Sequence, residues 1–373
     1  MGAVSNEAES KIPTVVWGTG NVGRASIRAV TANPALELVG VIVANPEKVG
    51  RDAGDLADLG VHLGVAATDD ADAVLAASPG AVVYAASGDI RPDDAVADIT
   101  RALAAGAVVV TPSVYALYDP KSAPPELRDP VEAAAKAGGG ALFVSGIDRL
   151  GQRHPADSRQ RARGDNRPDP VSGNLRLHDL RTAGFCPLPD RDGSADGLRT
   201  SHGRADRTHH GLGRQIRLIA RALGVELDEI RETLLRRPLE ETVSTEHMGE
   251  FAAGTQGALR FEVQGIVGGE PLIVIEHVTR IHPSCSRDWP LPPDGGDGAH
   301  KVIVEGRPRI EINVEATDEG GNRAAGGNAT AVGRLVNAIP WLRQAEPGLY
   351  DALDVPLTPG VGKLGARNSE VLT

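Results

Sequence analysis

The glycine-rich turn near the N-terminus constrains the fold of this chain more than any other feature. An apolar run at residues 14–17 leads into the turn, and helix-compatible residues 25–30 follow it. In a strand–turn–helix of this kind, the glycines permit a tight turn, close approach of the backbone to a pyrophosphate, and close helix–strand packing. The helix start also offers N–H groups to phosphates. We therefore predict that a dinucleotide binds at Gly18, Thr19, Gly20, Asn21, Val22 and Gly23.

Strands and helices alternate up to residue 148. Further apolar runs lie at residues 36–44, 81–88, 107–112 and 141–146, and helix-compatible segments lie at 70–77, 99–105 and 131–137. This alternation is typical of a parallel sheet covered by helices, and it predicts an α/β Rossmann domain over residues 1–148. Ligands of such sheets bind at the carboxyl ends of the strands. The small residues Ala86 and Ser87, at the end of one run, are therefore expected near the nicotinamide.

The residues after the second strand bear on the choice of cofactor. NAD-dependent enzymes usually carry Asp or Glu at this strand tip, where the carboxylate binds the ribose hydroxyls. This chain has Asn45 there, with Lys48 and Arg51 close behind. The two cations suit a 2′-phosphate, although solvated loop charges are the alternative interpretation. We expect Asn45 and Lys48 to belong to the cofactor site, with NADP(H) preferred and NAD(H) as the alternative.

The second half of the chain predicts an α+β domain over residues 213–360. An amphipathic helix at 214–223 ends at Gly224, and Asp228 is a candidate cap for a second helix at 229–236. Alternating segments then predict two hairpins and a final helix, which together indicate an open mixed or antiparallel sheet. The hairpins pair residues 258–265 with 272–280 and residues 301–306 with 309–314, the helix covers 330–339, and a frayed tail covers 361–373.

Composition excludes several classes of function. The net charge of −11 argues against a nucleic-acid partner. No apolar run approaches the ~18 residues of a membrane-spanning helix, so no membrane partner is expected. The polar, acidic N-terminus lacks the pattern of a secretory signal, which favours a cytoplasmic location. The two cysteines, Cys186 and Cys285, have no metal-ligand spacing, and no metal site is predicted.

With these segments placed, the chain resembles the NAD(P)H-dependent amine dehydrogenases, the group of 2,4-diaminopentanoate dehydrogenase. That group shares its N-terminal domain type with dihydrodipicolinate reductase. The motifs that carry the resemblance lie at residues 16–24, 46–54, 146–148, 276–280, 288–290, 305–308 and 337–340. The resemblance implies hydride transfer between NADP(H) and the carbon of a small amine or imine. It also implies a substrate held between two domains and a homo-oligomer built on the open sheet.

Residues 149–212 depart from that pattern. They contain no isoleucine and no lysine, and they are rich in arginine, histidine, proline and glycine, as a GC-rich gene read in a wrong frame would be. In the resembling proteins the Ile-Asp motif is followed by Pro-Gly and then by Ala-Asn-Asp-x-Leu-Pro. Residues 151–156 can be encoded so that the next frame reads Ala-Asn-Asp-Thr-Leu, and the family pattern returns at Gly213. Our hypothesis is an out-of-frame translation over 149–211; a disordered insertion is the alternative.

Glu276 and His277 are the candidate catalytic residues. They adjoin on a predicted strand, so their side chains should point to opposite faces. A histidine can carry the proton that accompanies hydride transfer, and a carboxylate can anchor a substrate ammonium. The alternative is a hydrogen-bonded pair at a sheet interface. Arg280 could bind a carboxylate, but a surface ion pair is the expected role for it.

Two other functions remain open at this stage. The first is a 4-hydroxy-tetrahydrodipicolinate reductase of lysine synthesis, although His209-His210 lacks the lysine that follows the His-His pair in those enzymes. The second is a dinucleotide-binding protein without turnover, because residues 149–212 have no helical or strand periodicity with which to form half of a substrate cleft. The sequence leaves the substrate, its stereochemistry and the size of the oligomer open.

Overall fold

The computed structural model describes residues 10–88, 91–145, 175–182, 202–245, 249–282, 284–292, 298–318, 321–358 and 360. The chain forms two compact units, one made of Met1–Ile147 with Asn328–Thr373 and the other of Asp148–Gly327. The second unit therefore ends before residue 360, which the sequence had suggested as the end of the second domain. Residues 328–360 belong to the first unit instead.

The elements up to residue 145 are β1 (Ile12–Trp17), α1 (Asn21–Ala32), β2 (Leu36–Ile42), α2 (Ala53–Leu56), β3 (Ala67–Thr68), α3 (Ala71–Ala76), β4 (Ala81–Tyr84), α4 (Pro92–Ala104), β5 (Val108–Thr111), α5 (Pro125–Gly138) and β6 (Ala141–Val144). The later elements are β7 (Leu175–Thr182), α6 (His202–Leu223), β8 (Glu229–Pro238), β9 (Val243–Thr245), β10 (Gly249–Phe251), β11 (Gln256–Val267), β12 (Glu270–Arg280), β13 (Gly298–Val304), β14 (Ile310–Val314), α7 (Arg323–Leu342) and β15 (Gly348–Tyr350).

The first unit is built on a seven-stranded sheet in the order β15-β6-β5-β4-β1-β2-β3. Every strand pair in it is parallel. Strands β4, β5 and β6 are buried along their whole length, as expected for a parallel sheet covered on both faces. The chain order reverses between β1 and β4, so the topological switch point lies at the carboxyl ends of these two strands. The predicted α/β Rossmann domain is confirmed.

Helix α7 explains why the end of the chain belongs to the first unit. Its apolar residues Val332, Leu335, Val336 and Ile339 are buried in the same core as residues of β1 and α1. Polar contacts add to this packing, since the Asn33 side-chain amide donates to Asn337 Oδ1 over 3.4 Å. The helix predicted at residues 330–339 is confirmed, but no local pattern indicates that its apolar face completes the N-terminal core.

The second unit contains a six-stranded sheet in the order β14-β13-β7-β12-β11-β8. Only the pair β7–β12 is parallel within it, so the sheet is mixed, as predicted. Both predicted hairpins are confirmed, and Gly268 and Gly269 adopt the positive φ angles of 63° and 83° that the first hairpin turn requires. Helix α6 lies close to this sheet, because a Cβ on Gly265 would stand 2.7 Å from Ile216 Cγ2.

The prediction of a second helix after Asp228 is wrong. Residues 229–236 lie in β8, which pairs antiparallel with β11 along its length. Asp228 does not cap a helix: its backbone N–H donates to the Ile266 carbonyl at 2.8 Å, and its carboxylate accepts the Gly269 N–H at 3.2 Å. Pairing with a distant strand, rather than local helix propensity, decides the structure of this segment.

Two elements fall within residues 149–212, where the sequence shows no periodicity. Strand β7 pairs with β12 on one side and β13 on the other, and α6 begins at His202 rather than near residue 213. Hydrogen bonds to two neighbouring strands place β7, and such long-range pairing leaves no signature in local periodicity. Residues 149–174, 183–201 and 361–373 lie outside the described residues, so the out-of-frame hypothesis and the frayed tail stay predictions. Across the described part of the chain, no helix combines the length and the apolar character needed to cross a bilayer.

Candidate functional site

The glycine turn after β1 has the geometry that a dinucleotide site requires. Gly18 has a φ of 102°, in the left-handed region that favours glycine, and a Cβ on it would stand 2.8 Å from the backbone nitrogen of Ala86. A Cβ on Gly23 would overlap the carbonyl oxygen of Gly18. These two glycines are therefore required by the turn itself, whatever binds there.

Gly20 differs from the other two glycines. It is the residue that precedes α1, and no atom lies within 4 Å of the position that its Cβ would occupy. The first amides of α1 have no acceptor within the helix and are available to an anion. The structure thus leaves open space at a helix N-terminus, and this space fits the pyrophosphate of a dinucleotide.

A cleft of about 330 Å³ opens beside this turn. It is lined by Thr19, Gly20, Asn21, Arg24, Lys48, Arg51, Asp55, Leu56 and Asp58. Four of the predicted cofactor residues therefore meet in one cleft. Gly18 and Gly23 shape the turn, and the partly buried Val22 packs against the core of the first unit. Three cations and two acids face the cleft, and no pattern in the sequence indicates the acids.

Lys48 is fixed against the glycine turn. Its ammonium donates to both the carbonyl oxygen and the hydroxyl of Thr19, each at 3.1 Å. Asn45 supports this position, because its Oδ1 accepts the Glu47 N–H at 3.0 Å and so caps the short 3₁₀ helix Pro46–Lys48. Arg51 is exposed, and within the described residues its guanidinium has no hydrogen-bond or ion-pair partner. Lys48 is thus pre-positioned, and Arg51 is available to an anion.

The two acids of the cleft come from α2 and the residues just after it. Asp58 Oδ2 lies 2.9 Å from Arg24 Nη1 and 3.7 Å from Arg28 Nη2, and both arginines belong to α1. No sequence motif links Asp55 or Asp58 to the glycine turn, because only the tertiary fold brings α2 beside α1. The one local signal is the short helix that Asp52 caps, since its carboxylate accepts the Gly54 N–H at 2.8 Å.

Ala86 adjoins the glycine turn, but neither Ala86 nor Ser87 lines the cleft. The backbone here is held by the end of β5 and the residues that follow it: Thr111 Oγ1 donates to the Tyr84 carbonyl at 2.8 Å, and Ser113 Oγ donates to the Ala86 carbonyl at 2.5 Å. No sequence motif indicates a role for Thr111 or Ser113. They fix the carboxyl end of β4, where the nicotinamide is expected.

Glu276 is almost completely buried and ion-paired. Its exposed fraction is 1%, and its Oε1 lies 2.5 Å from Arg260 Nε. Arg260 also contacts Glu262 at 3.1 Å, and Gln264 donates to Glu262 at 2.6 Å. These residues form a buried polar network across β11 and β12.

His277 has a different set of neighbours from Glu276, as the alternation along a strand predicts. Its ring stacks on Phe261, with the ring centroids 4.9 Å apart, and its Nε2 lies 2.5 Å from Thr279 Oγ1. His277 is half-buried, whereas Glu276 is enclosed. Of the two candidates, only the imidazole retains access to solvent.

The expectation that Arg280 forms a surface ion pair is wrong. The side chain is fully buried, and its Nη2 donates to the carbonyl oxygen of Pro290 at 3.0 Å. Burial lowers the pKa of this guanidinium. Arg280 lies on the strand that leads into the loop around Trp289, so its environment is set by the fold of that loop. Among the described residues, no group of three or more His, Cys, Asp or Glu side chains is arranged to hold a metal ion.

Known protein families match residues in both units of the chain. Residues 199–367 match the family model of the 2,4-diaminopentanoate dehydrogenase C-terminal domain, and residues 12–88 match that of the dihydrodipicolinate reductase N-terminus. An amine dehydrogenase of Streptomyces virginiae is 60% identical over 371 residues, which cover 96% of this chain and 100% of that protein. A 4-hydroxy-tetrahydrodipicolinate reductase of Nostoc sp. is 30% identical over 144 residues, covering 36% of this chain and 48% of that protein.

Solved structures share the fold. The amine dehydrogenase of Mycobacterium smegmatis superposes with a TM-score of 0.69 at 23% identity, over 94% of this chain and 97% of that chain. A probable dehydrogenase of Thermotoga maritima gives a TM-score of 0.53 at 17% identity, over 92% of each chain. The Streptomyces relative is matched along its whole length, whereas the reductase is matched over less than half of its own. This chain is therefore an oxidoreductase that belongs to the amine dehydrogenase family.

Proposed function

We propose that this enzyme uses NADP(H) to oxidise the amine-bearing carbon of a small amine or diamino acid, or to reduce the corresponding imine. NAD(H) is the alternative cofactor. The observation that carries the cofactor proposal is the cleft in which the open space at Gly20 adjoins the tethered Lys48 and the available Arg51. The proposal for the substrate is supported by the similarity to the Streptomyces amine dehydrogenase.

The chain's own residues divide the work of binding. The amides at the start of α1 bind the pyrophosphate, with Gly20 leaving room for it. Arg51 binds the 2′-phosphate, for which a free guanidinium is well suited. Lys48 holds Thr19 in place and adds positive charge. When bound, the nicotinamide supplies the acceptor or donor of the hydride, and the protein supplies orientation and proton transfer.

Proton transfer is assigned to His277. Oxidation of an amine removes a hydride from carbon and a proton from nitrogen, and water then hydrolyses the imine to a carbonyl compound and ammonia. The half-buried imidazole of His277, aligned by Phe261 and Thr279, can take up that proton and return it in the reverse reaction. We assign Glu276 to the positioning of β12, because its carboxylate is already engaged by Arg260.

The dihydrodipicolinate reductase alternative has narrower support. Its family model matches residues 12–88, which form the nucleotide-binding part that many oxidoreductases share. The match to the Nostoc reductase covers less than half of that enzyme. The reaction of a 4-hydroxy-tetrahydrodipicolinate reductase therefore remains the second candidate function.

A combined binding and turnover assay tests the proposal. NADPH fluorescence reports binding, and the absorbance of NADPH reports reduction of NADP⁺ in the presence of diamines, amino acids or simple amines. We expect binding together with turnover of at least one amine. Binding without any amine turnover would favour the reductase if dihydrodipicolinate is reduced, and a dinucleotide-binding protein without turnover if it is not.

A further inference from the structure

The ion pair between Arg24 and Asp58 lies inside the proposed cofactor cleft. Arg24 directly follows Gly23, and its Nη1 lies 2.9 Å from Asp58 Oδ2. Arg28, one turn further along α1, lies 3.7 Å from the same oxygen, and its Nε donates to the Ala57 carbonyl at 2.6 Å. The carboxylate of Asp58 is thus held at the mouth of the cleft by two arginines of α1.

This arrangement changes the charge that an incoming ligand meets. Arg24 is engaged by Asp58, whereas the guanidinium of Arg51 has no partner among the described residues. A 2′-phosphate must therefore compete with Asp58 for Arg24 and must also approach a carboxylate of like charge. A ribose that carries only hydroxyls meets no such repulsion and can donate hydrogen bonds to the same carboxylate.

Asp58 also supplies what the tip of β2 lacks. NAD-dependent enzymes usually place an acid at that tip to bind the ribose hydroxyls, and this chain has Asn45 there. In the fold, an acid reaches the same cleft from the segment after α2. An acid and a free cation in one cleft permit both forms of the cofactor to bind.

We infer that Asp58 is a specificity-determining residue for the cofactor, which weakens the preference for the 2′-phosphate by engaging Arg24. The inference rests on the proposed cofactor site. Replacement of Asp58 by a neutral residue therefore raises the affinity for 2′-phosphorylated ligands. It does not raise the affinity for their unphosphorylated counterparts, whose ribose hydroxyls lose a charged acceptor.

Asp58→Asn is the variant of choice. Asp58 has a φ of 52°, in the left-handed region, where asparagine is tolerated and most other residues are strained. The substitution therefore removes the charge while the backbone is kept. Asp72→Asn is the matched control, because Asp72 also pairs with an arginine of the first unit, Arg101, but does not line the cleft.

The test is calorimetric titration of the full chain with adenosine 2′,5′-bisphosphate and with 5′-AMP, two fragments that differ by the 2′-phosphate. We expect Asp58→Asn to raise the ratio of the affinity for adenosine 2′,5′-bisphosphate to the affinity for 5′-AMP about fivefold. This is the size of effect expected when one charge is removed from a solvated site. The rise in this ratio should be smaller at 0.5 M salt, because the cleft is open to solvent and salt screens the charges. Adding Arg24→Ala should cancel the part of this rise that comes from the freed arginine and leave the part that comes from relief of repulsion.

Each outcome bears on a different claim. An unchanged ratio in Asp58→Asn, with both fragments bound by the wild type, overturns the role of Asp58 and leaves the proposed function standing. A rise of the same size in Asp72→Asn also overturns it, because the effect would then follow from net charge alone. Failure of both fragments to bind the wild type overturns the cofactor site and this inference with it.

Discussion

The carbonyl oxygen of Gly18 occupies the space that a Cβ on Gly23 would need. The first and third glycines of the turn are thereby locked to each other by backbone contact, whereas the second glycine faces open space. This difference separates the glycines that build the turn from the glycine that leaves room for a ligand. It also gives the first prediction.

Gly23→Ala should destabilise the first unit, because the added methyl group meets backbone that cannot move without opening the turn. Gly20→Ala should fold normally, since its Cβ meets nothing within 4 Å, but it should weaken NADPH binding by placing a methyl group where the pyrophosphate lies. Thermal unfolding and NADPH fluorescence measure the two effects. Equal loss of binding without loss of stability in both variants would contradict the distinction.

Arg51→Ala should weaken NADP⁺ binding about tenfold, the loss expected when one charge-assisted hydrogen bond to a phosphate is removed. The affinity for NAD⁺ should stay within about twofold, because NAD⁺ has no 2′-phosphate for the guanidinium to bind. Arg101→Ala is the control, since Arg101 is a partly exposed arginine of the same unit outside the cleft. Parallel losses for both cofactors in Arg51→Ala would count against its assignment to the 2′-phosphate.

His277→Asn should lower kcat about a hundredfold, a typical contribution of general acid–base catalysis, with cofactor affinity and stability unchanged.

Glu276→Gln should instead lower the stability of the protein and leave kcat nearly unchanged. Removing one partner of the buried pair with Arg260 should lower the free energy of unfolding by about 3 kcal/mol, while kcat of the folded protein changes little. Steady-state kinetics and urea unfolding of both variants separate these roles. A stable Glu276→Gln protein with a hundredfold lower kcat would show that the carboxylate takes part in the chemistry.

Asp52 should make stability depend on pH in the acidic range. Its carboxylate accepts three backbone N–H groups, from Gly54 at 2.8 Å, Leu63 at 2.9 Å and Gly64 at 2.8 Å. These bonds, the one from Leu63 most of all, hold the pKa of Asp52 below its ordinary value. Because the folded pKa lies below that of the unfolded chain, about 3.9, the stabilisation is complete above that pH and is lost as the pH falls toward the folded pKa.

The measurement is the free energy of unfolding of the wild type and Asp52→Asn between pH 7 and pH 3. The wild type should be more stable at neutral pH, and the difference should narrow below about pH 4. His62 also lies 3.5 Å from the carboxylate, but it is largely exposed, so His62→Gln should leave the acidic part of the profile almost unchanged. A difference between wild type and Asp52→Asn that is constant with pH would rule out the backbone N–H groups as its source.

Local patterns and long-range contacts account for what the sequence could and could not predict. The turn at Gly18 and the hairpin at Gly268 depend on residues close in sequence, and both were predicted correctly. Local pattern predicts a helix where β8 forms, because the structure of β8 depends on pairing with β11. The acids of the cofactor cleft were missed for the same reason, since Asp58 meets Arg24 only after α1 and α2 are brought together.

The gene itself offers the last prediction. If residues 149–211 are translated out of frame, resequencing across the codons for Ser145 to Gln215 should reveal Ile-Asp-Pro-Gly followed by Ala-Asn-Asp. Strand β7 gives this test a structural criterion. It belongs to residues 149–211 and lies between β12 and β13 in the six-stranded sheet. A corrected sequence must supply a strand there that pairs with both neighbours. An unchanged sequence, with peptides from this segment found by mass spectrometry of the purified protein, would instead establish a genuine insertion that contributes a strand to the sheet.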